Sequence, residues 1–283
     1  HRRVLAVGYQ KQSEGNAQFA LGSGRGASLG AGGAFAPFIR SYIQRSGAPL
    51  DVGPMVAVKD RQNALKNPYA HLRLEDISIE SVKASPMMWD PLRFLESCPS
   101  SDGACAMVFT DQAGGEAAAA DGRPPAWVLG SAMRSEPFGF PGRDPVLPQG
   151  ARDCADDVYA QAGITRPREQ IDCAELYVPF SWYEPMWLEA HHLAGPGEGW
   201  QLVESGATAL DGSFPVNMSG GVLSSNPIGA SGLLRFAEAA LQVRGMAGEH
   251  QVDGAKVAVA QAYGASAQYF SMWVVGASLD PFG

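Results

Sequence analysis

Asn217-Met-Ser-Gly-Gly-Val-Leu-Ser-Ser-Asn-Pro-Ile-Gly-Ala-Ser-Gly232 runs without a break into Leu233-Leu-Arg-Phe-Ala-Glu-Ala-Ala-Leu-Gln-Val-Arg-Gly245. A glycine-rich loop therefore feeds an amphipathic helix, because apolar residues fall at Leu233, Leu234, Phe236, Ala237, Ala240 and Leu241, the period of a helix with one buried face. Gly245 stops it, since glycine enters the left-handed conformation at a helix end without steric cost. Pro227 restricts the backbone and Gly229 opens it, so that free amides at the helix start can face a ligand. Asn226 has an amide that can donate to an oxygen, and it can equally cap the helix; the two roles are compatible.

Outward from this loop, strands and helices alternate through the second half of the chain, the pattern of an α/β layered domain. Ala126–Ser131 and Ile171–Val178 read as strands, and Ala151–Gly163 and Pro185–Leu193 as helices. No charge lies between Lys256 and Asp280, a span long enough to cross a bilayer. Gln261, Ser266, Gln268 and Ser271 interrupt it, so it reads instead as two adjacent antiparallel strands, Val257–Ala262 and Gln268–Gly276, turning near Gly264. In the first half, Val4–Val7 reads as a buried strand, and the Ser100–Phe109 stretch as a turn followed by another. Pro37–Arg45 has helical spacing with Pro37 in the first turn, and Pro54–Lys66 is a helix ending before Asn67-Pro68. Ile77–Lys83 reads as a short helix capped by Asp76, although Ile77, Ile79 and Val82 fit a strand period nearly as well. Gly22–Gly33 is read as a mobile glycine- and serine-rich loop matching neither a P-loop nor a dinucleotide fingerprint, and Gly114–Pro125 as a linker.

The composition narrows the function classes. A chain of 283 residues with 46% hydrophobic and 18% charged residues can build a substantial core. A net charge of -8 argues against general nucleic-acid binding and against a cationic membrane face. Cys98, Cys105, Cys154 and Cys173 form no C-x-x-C pair and read as small buried apolar residues, so no disulfide framework or metal site is expected and a cytoplasmic location is the default. His191-His192 reads as a solvated helix end, Arg235 and Arg244 as solvated or interface charges, and the aromatic run Phe180–Trp187 as core or pocket wall.

The loop and helix resemble the thiolase signature, in which a His-Pro-x-Gly-Ala-x-Gly element helps hold a thioester oxygen; here the histidine position is Asn226. Asn63-Ala-Leu-Lys-Asn-Pro-Tyr-Ala-His71 resembles the helical part of the thiolase cap loop, and Ser100-Ser-Asp-Gly-Ala104 the end of the N-terminal domain. Within the superfamily the match is closest to sterol-carrier-type thiolases and their lipid-transfer-protein and steroid side-chain aldolase relatives. The resemblance implies a thiolase-like α/β layered fold, incomplete at the N-terminus, with residues 1–113 as the remainder of the N-terminal domain and residues 123–283 as the C-terminal domain. It also implies an acyl-CoA ligand, no bound cofactor, a homodimer and, for the aldolase-like relatives, a partner subunit with an OB-type domain.

A working thiolase needs a nucleophilic cysteine, a second cysteine as acid/base and donors for the thioester oxygen. The resemblance puts the nucleophile before the first residue of this chain. Where sterol-carrier-type thiolases have a His-Asp-Cys-Phe element, this chain reads Glu175-Leu-Tyr-Val-Pro-Phe180, so Tyr177 replaces the histidine and Pro179 the cysteine. Where other thiolases end in Cys-x-Gly, it reads Ala262-Tyr263-Gly264. The remaining oxygen and nitrogen groups make Tyr177, Asn226 and Tyr263 the candidate catalytic residues, converging on one cavity, with Phe180, Pro227, Gly229 and Gly264 as candidate substrate contacts. Both tyrosines could equally be satisfied core residues; as bases they need a pKa lowered towards neutrality. This set suits retro-aldol cleavage of a 3-hydroxyacyl-CoA without a covalent intermediate better than thiolysis. A thiolase-family acyltransferase and a non-catalytic lipid- or acyl-CoA-binding subunit are the rival readings.

Overall fold

The uncharged run near the C-terminus folds as an antiparallel pair of strands, with Val259 opposite Val274 and Tyr263 opposite Phe270. The turn between them uses Ala265 and Ala267 in the left-handed region, at φ 55 and 53. The structure is a computed structural model and describes residues 2–14, 30–137 and 142–282. The described strands are β1 (Arg3–Lys11), β2 (Met87–Trp89), β3 (Leu92–Arg93), β4 (Asp102–Thr110), β5 (Trp127–Ser135), β6 (Cys173–Glu175), β7 (Val257–Gly264) and β8 (Tyr269–Gly276). The described helices are α1 (Gly30–Ser46), α2 (Val52–Leu65), α3 (Ile79–Ala84), α4 (Gln112–Ala120), α5 (Gln149–Ala162), α6 (Pro167–Gln170), α7 (Tyr183–Ala190), α8 (Gly199–Glu204), α9 (Gly221–Ser224) and α10 (Ile228–Val243). Among the described residues no helix is long and apolar enough to cross a membrane.

Two sheets meet on α10. The larger has the order β5-β8-β7-β6, antiparallel except for the parallel β6/β7 pair, and the smaller is the antiparallel pair β1/β4. Small residues let α10 approach both. A Cβ on Gly8 of β1 would stand 3.3 Å from the Ala230 Cα, and a Cβ on Gly232 would stand 3.1 Å from the Ala262 Cβ of β7. The side of the larger sheet away from α10 is covered by α5, whose Val158 carbonyl would lie 2.5 Å from a Cβ on Gly130 of β5. Helix on sheet on helix on sheet is the thiolase-like α/β layering expected from the sequence.

Several local expectations are corrected. β1 and β4 are half-buried, not buried: alternate residues face α10, while Leu5, Val7, Tyr9 and Val108 are exposed on the opposite face. The expected linker is largely α4, which the Asp111 carboxylate caps by accepting from the Gly114 N–H at 3.0 Å and which its alanine run sustains. Ser78, not Asp76, caps α3, through a reciprocal pair with Ser81. Pro37 lies inside α1 rather than in its first turn, because Gly30–Gly33 are already helical; residues 22–29 of the expected loop lie outside the described residues. The strand expected over Ile171–Val178 stops at Glu175. Beyond it, side chains replace the ladder: Leu176 N–H donates to Asn217 Oδ1 at 2.8 Å and Tyr177 N–H to Gln261 Oε1 at 3.0 Å. α10 begins at Ile228, earlier than the apolar period suggested, with Pro227 at its cap position, so Asn226 does not cap it.

Candidate functional site

Three separate stretches of sequence converge on Asn226. Its backbone N–H donates to Ser101 Oγ at 3.0 Å, and Ser101 Oγ also lies 2.8 Å from His71 Nδ1. The His71 N–H donates to the neighbouring Ser225 Oγ at 2.6 Å. The cap-loop-like segment and the Ser-Asp-Gly turn thus fix the backbone of the loop. The Asn226 side chain is fixed as well. Its Oδ1 accepts from the Tyr177 hydroxyl at 3.1 Å and from the Ser231 hydroxyl at 2.8 Å. The amide nitrogen points the other way, where Nδ2 donates to Cys98 Sγ at 3.1 Å, and the Ser231 hydroxyl also reaches the Pro227 carbonyl at 3.0 Å. One Nδ2 hydrogen is used by that sulfur, which leaves the second to meet an oxygen.

An aromatic enclosure surrounds this amide. The Tyr263 ring lies 5.2 Å from Tyr177, edge to face, and 5.8 Å from Tyr183, stacked. Phe35 sits 6.3 Å from Tyr263 and 5.9 Å from Phe180, and Trp187 donates its indole N–H to the Tyr177 carbonyl at 2.9 Å. Tyr177 is therefore in contact with both Asn226 and the Tyr263 ring. Among the described residues the buried hydroxyls of Tyr183 and Tyr263 have no hydrogen-bond partner, whereas that of Tyr177 is engaged with Asn226. Burial drives the pKa of all three phenols upward, not downward, and Cys98 and the neighbouring phenols push the same way on Tyr263. The condition for either tyrosine to serve as a simple base is thus not met: the three are neutral donors. The sulfur of Cys98, half-buried, is likewise pushed up by burial to about 11, with the Asn226 contact and Arg61 pulling weakly against that shift.

A buried ionic layer holds the loop from beneath. Glu175, fully buried at the end of β6, accepts from the Ser219 N–H and the Ser219 hydroxyl, each at 2.9 Å, and pairs with Arg235 of α10. Arg235 Nη1 also reaches Ser219 Oγ at 2.9 Å. Arg235 is therefore an internal clamp, not the solvated charge expected, because its position on α10 faces the sheet. From α2, Asn63 Nδ2 donates to the Asn217 carbonyl at 3.1 Å, and just beyond the helix end Asn67 Nδ2 donates to the Ser219 carbonyl at 3.0 Å. Lys59 lies 3.1 Å from Asp60 and 2.6 Å from Glu184, and Asn217 Nδ2 reaches Asp60 at 3.4 Å. The start of the loop is thereby tied to α2, β6 and α10.

Of the remaining sequence candidates, Phe180 walls the enclosure and Pro227 packs on Gly103 of β4, where a Cβ would stand 2.8 Å from its Cγ. Gly229 faces β1 instead: a Cβ there would meet the Tyr9 carbonyl at 2.7 Å. Gly264 pairs with Tyr269 at the strand ends. His191 is fully buried beside Trp187, and burial lowers its pKa to about 3, so it is a neutral core residue and not a solvated helix end. Among the described residues no group of His, Cys, Asp and Glu is arranged to hold a metal ion. Sequence reasoning missed Cys98, Ser101, Tyr183 and Ser231. Ser231 lies five residues from Asn226 and the Ser101 turn had been noticed, but Cys98 and Tyr183 join the site only through long-range packing.

Comparison with known proteins bears on the family and the fold. Residues 140–277 match the family described as thiolase C-terminal domain-like. The chain is 31% identical over 224 residues to sterol carrier protein 2 of Homo sapiens, covering 78% of this chain and 40% of that protein. It is 32% identical over 216 residues to 17-hydroxy-3-oxo-4-pregnene-20-carboxyl-CoA lyase of Mycobacterium tuberculosis, covering 73% of this chain and 53% of the lyase. The chain thus spans about half the length of the curated relatives it matches. The solved Ltp2-ChsH2(DUF35) aldolase superposes with a TM-score of 0.80 at 24% identity, over 97% of this chain and 72% of that one, a likeness of fold.

Proposed function

This chain belongs to the thiolase superfamily, with sterol-carrier-type relatives, and we propose that it acts on an acyl-CoA by cleaving the bond between Cα and Cβ of a 3-hydroxyacyl thioester. The observation that carries the reading is the placement of Asn226, whose amide is held between Tyr177, Ser231 and Cys98, with the Tyr263 ring 5.2 Å from that of Tyr177 and its hydroxyl unpartnered among the described residues.

Retro-aldol cleavage leaves an enolate on the thioester side. Its developing negative oxygen needs a fixed donor, and a pre-oriented amide N–H in a water-poor site serves without reorganisation. The net reaction moves one proton from the β-oxygen to the α-carbon. Neutral phenols suit that transfer, because each can accept one proton while releasing another and never carry a lasting charge. Tyr263, with a free hydroxyl, is the group we assign to the β-oxygen. Tyr177 is a positioning residue, since its proton is committed to Asn226. Phe180 and Phe35 supply apolar walls, Pro227 starts α10 against β4, and Gly229 lets the loop approach β1. Thiolysis is less well supported, because Pro179 and the Ala262-Tyr263-Gly264 stretch offer no acid/base thiol where the family carries one.

We assign residues 1–113 to an N-terminal thiolase-like portion with the cap loop, and residues 123–283 to the C-terminal domain. A homodimer, an OB-type partner subunit and a cytoplasmic location complete the proposal. The test supplies the whole protein with a 3-hydroxyacyl-CoA and, separately, with a 3-ketoacyl-CoA plus free CoA, and follows products and the intact protein mass. Release of an acyl-CoA and a carbonyl compound from the first substrate supports the reading. Thiolysis of the second with a trapped acyl-cysteine makes it an acyltransferase, and binding without turnover makes it a binding subunit.

A further inference from the structure

Cys98 is the titratable thiol of the site, and the sequence read it only as a small buried apolar residue. We propose that Cys98 delivers the proton to the α-carbon of the thioester, completing a relay that begins at the Tyr263 hydroxyl. The proposal rests on the retro-aldol reading and adds to it the identity of the carbon acid.

Four observations support it. First, Cys98 Sγ lies 3.1 Å from Asn226 Nδ2, the atom assigned to the thioester oxygen. The α-carbon is bonded to the carbonyl carbon that bears that oxygen, so a group beside the oxygen donor stands beside the α-carbon. Second, the sulfur accepts from Asn226, while its own hydrogen is donated to no protein acceptor among the described residues and is free to face a ligand. Third, two buried hydroxyls without partners, those of Tyr263 and the fully buried Tyr183, share the same aromatic enclosure, with their rings stacked 5.8 Å apart. Buried polar hydrogens are rarely left unmade, so these two hydroxyls suit a polar partner that the described residues do not supply. Fourth, the backbone of Cys98 is fixed. Its N–H donates to the Pro179 carbonyl at 2.9 Å, and the preceding residues are held by Arg61, which reaches the Ser97 carbonyl at 3.1 Å. The backbone of Pro179, which stands where the related thiolases carry a cysteine, thus anchors the backbone of Cys98.

The step balances. As the Cα–Cβ bond breaks, its electron pair becomes the enolate and the Cβ–O bond becomes a carbonyl. The β-hydroxyl proton passes to the Tyr263 oxygen, the Tyr263 hydroxyl proton passes through one water molecule, regenerated in the step, to the Cys98 sulfur, and the Cys98 S–H proton goes to Cα as the enolate collapses to the thioester. Nothing is oxidised or reduced and no co-reactant is consumed. A thiol whose pKa burial has raised stays protonated at neutral pH, as this role requires.

The test reads the face from which the carbon is protonated. The whole protein, with any subunit that purifies with it, is given a 2-methyl-3-hydroxyacyl-CoA in D2O, and the configuration of the α-deuterated propionyl-CoA is determined. Wild type is expected to give one enantiomer. Cys98→Ala is expected to cleave at least tenfold more slowly and to give racemic product, because water then protonates the released enolate. Asn226→Ala slows cleavage but keeps the single enantiomer, which separates oxygen stabilisation from carbon protonation. A Cys98→Ala protein that cleaves at the wild-type rate to a single enantiomer overturns the proposal and leaves the aldolase reading standing. If wild type does not cleave the substrate at all, the aldolase reading falls and takes this proposal with it. Should Cys98→Ala not fold, Cys98→Ser is measured instead, and an unchanged rate there overturns the proposal.

Discussion

Replacing Arg235 with methionine tests the internal clamp that holds the Asn226 loop. The change keeps most of the aliphatic volume and removes the guanidinium that pairs with Glu175 and donates to Ser219 Oγ. Glu175, fully buried, is left with only the Ser219 N–H and hydroxyl as donors. Removing one member of a buried ion pair strands the other charge, and such changes destabilise by about 3–5 kcal/mol. At about 2–4 °C per kcal/mol for a chain of 150–250 residues, the melting temperature should fall by on the order of 10 °C. The pH dependence carries a sharper signature. Burial already raises the Glu175 pKa, with Arg235 pulling it back down. Without Arg235 it rises further, so the stability that comes with protonating Glu175 is present below its unfolded value of about 4.3 and is lost as pH climbs through the raised folded value. The gap between Arg235→Met and wild type should therefore narrow as pH falls from 7 towards 4.5. Urea unfolding of both proteins at several pH values measures this, and the double variant with Glu175→Gln should recover part of the loss. A deficit under about 1 kcal/mol, or one that does not shrink on acidification, refutes the clamp.

Tyr177→Phe removes one of the two hydroxyls that orient the Asn226 amide; at about 1 kcal/mol for one hydrogen bond, turnover should fall roughly fivefold with little change in melting temperature, and an unchanged rate would show that Ser231 suffices. Gly220 has a φ of 89, and a Cβ there would stand 2.6 Å from the Ala64 Cβ, so Gly220→Ala should destabilise by about 3 kcal/mol or more in a thermal melt. A near-neutral result would mean that α2 can move away from the loop. His250 is buried, which alone would lower its pKa, but its contact with Glu238 at 3.0 Å, the nearby Glu175 and the Lys66 carbonyl outweigh that and raise it. The stability gained is present below the ordinary histidine value of about 6.5 and is lost as pH rises through the raised one. Glu238→Gln should flatten stability over that window, and an unaltered pH profile would exclude the pair as its source.

The layering was legible because its signals are local and periodic. The uncharged run interrupted by Gln261 and Ser266 read as strands, whereas the glycines at 229 and 232, which let α10 approach β1 and β7, read only as part of a loop opening towards a ligand. Asn226, Tyr177 and Tyr263 could be named as candidates from sequence because each stands where the family resemblance puts a different reactive group. What escaped depended on neighbours distant in sequence. β1 looked buried because its apolar run does not reveal that one face is open. Arg235 looked solvated because a charge on a helix usually is, and only Glu175, sixty residues away, makes its burial tolerable. Cys98 looked like a small apolar filler, because nothing near it in sequence discloses the Asn226 amide. The raised phenol pKa values came from enclosure by Phe35, Tyr183 and Trp187, which no motif specifies.

The most direct test of the oriented-amide account is the rate of 3-hydroxyacyl-CoA cleavage by Asn226→Ala in the whole protein, measured beside its melting temperature. Losing one oxyanion donor costs about 3 kcal/mol, so turnover should drop roughly a hundredfold while the melting temperature stays near that of wild type. An Asn226→Ala protein that is folded and cleaves its substrate at the wild-type rate would contradict the assignment of this amide to the enolate oxygen.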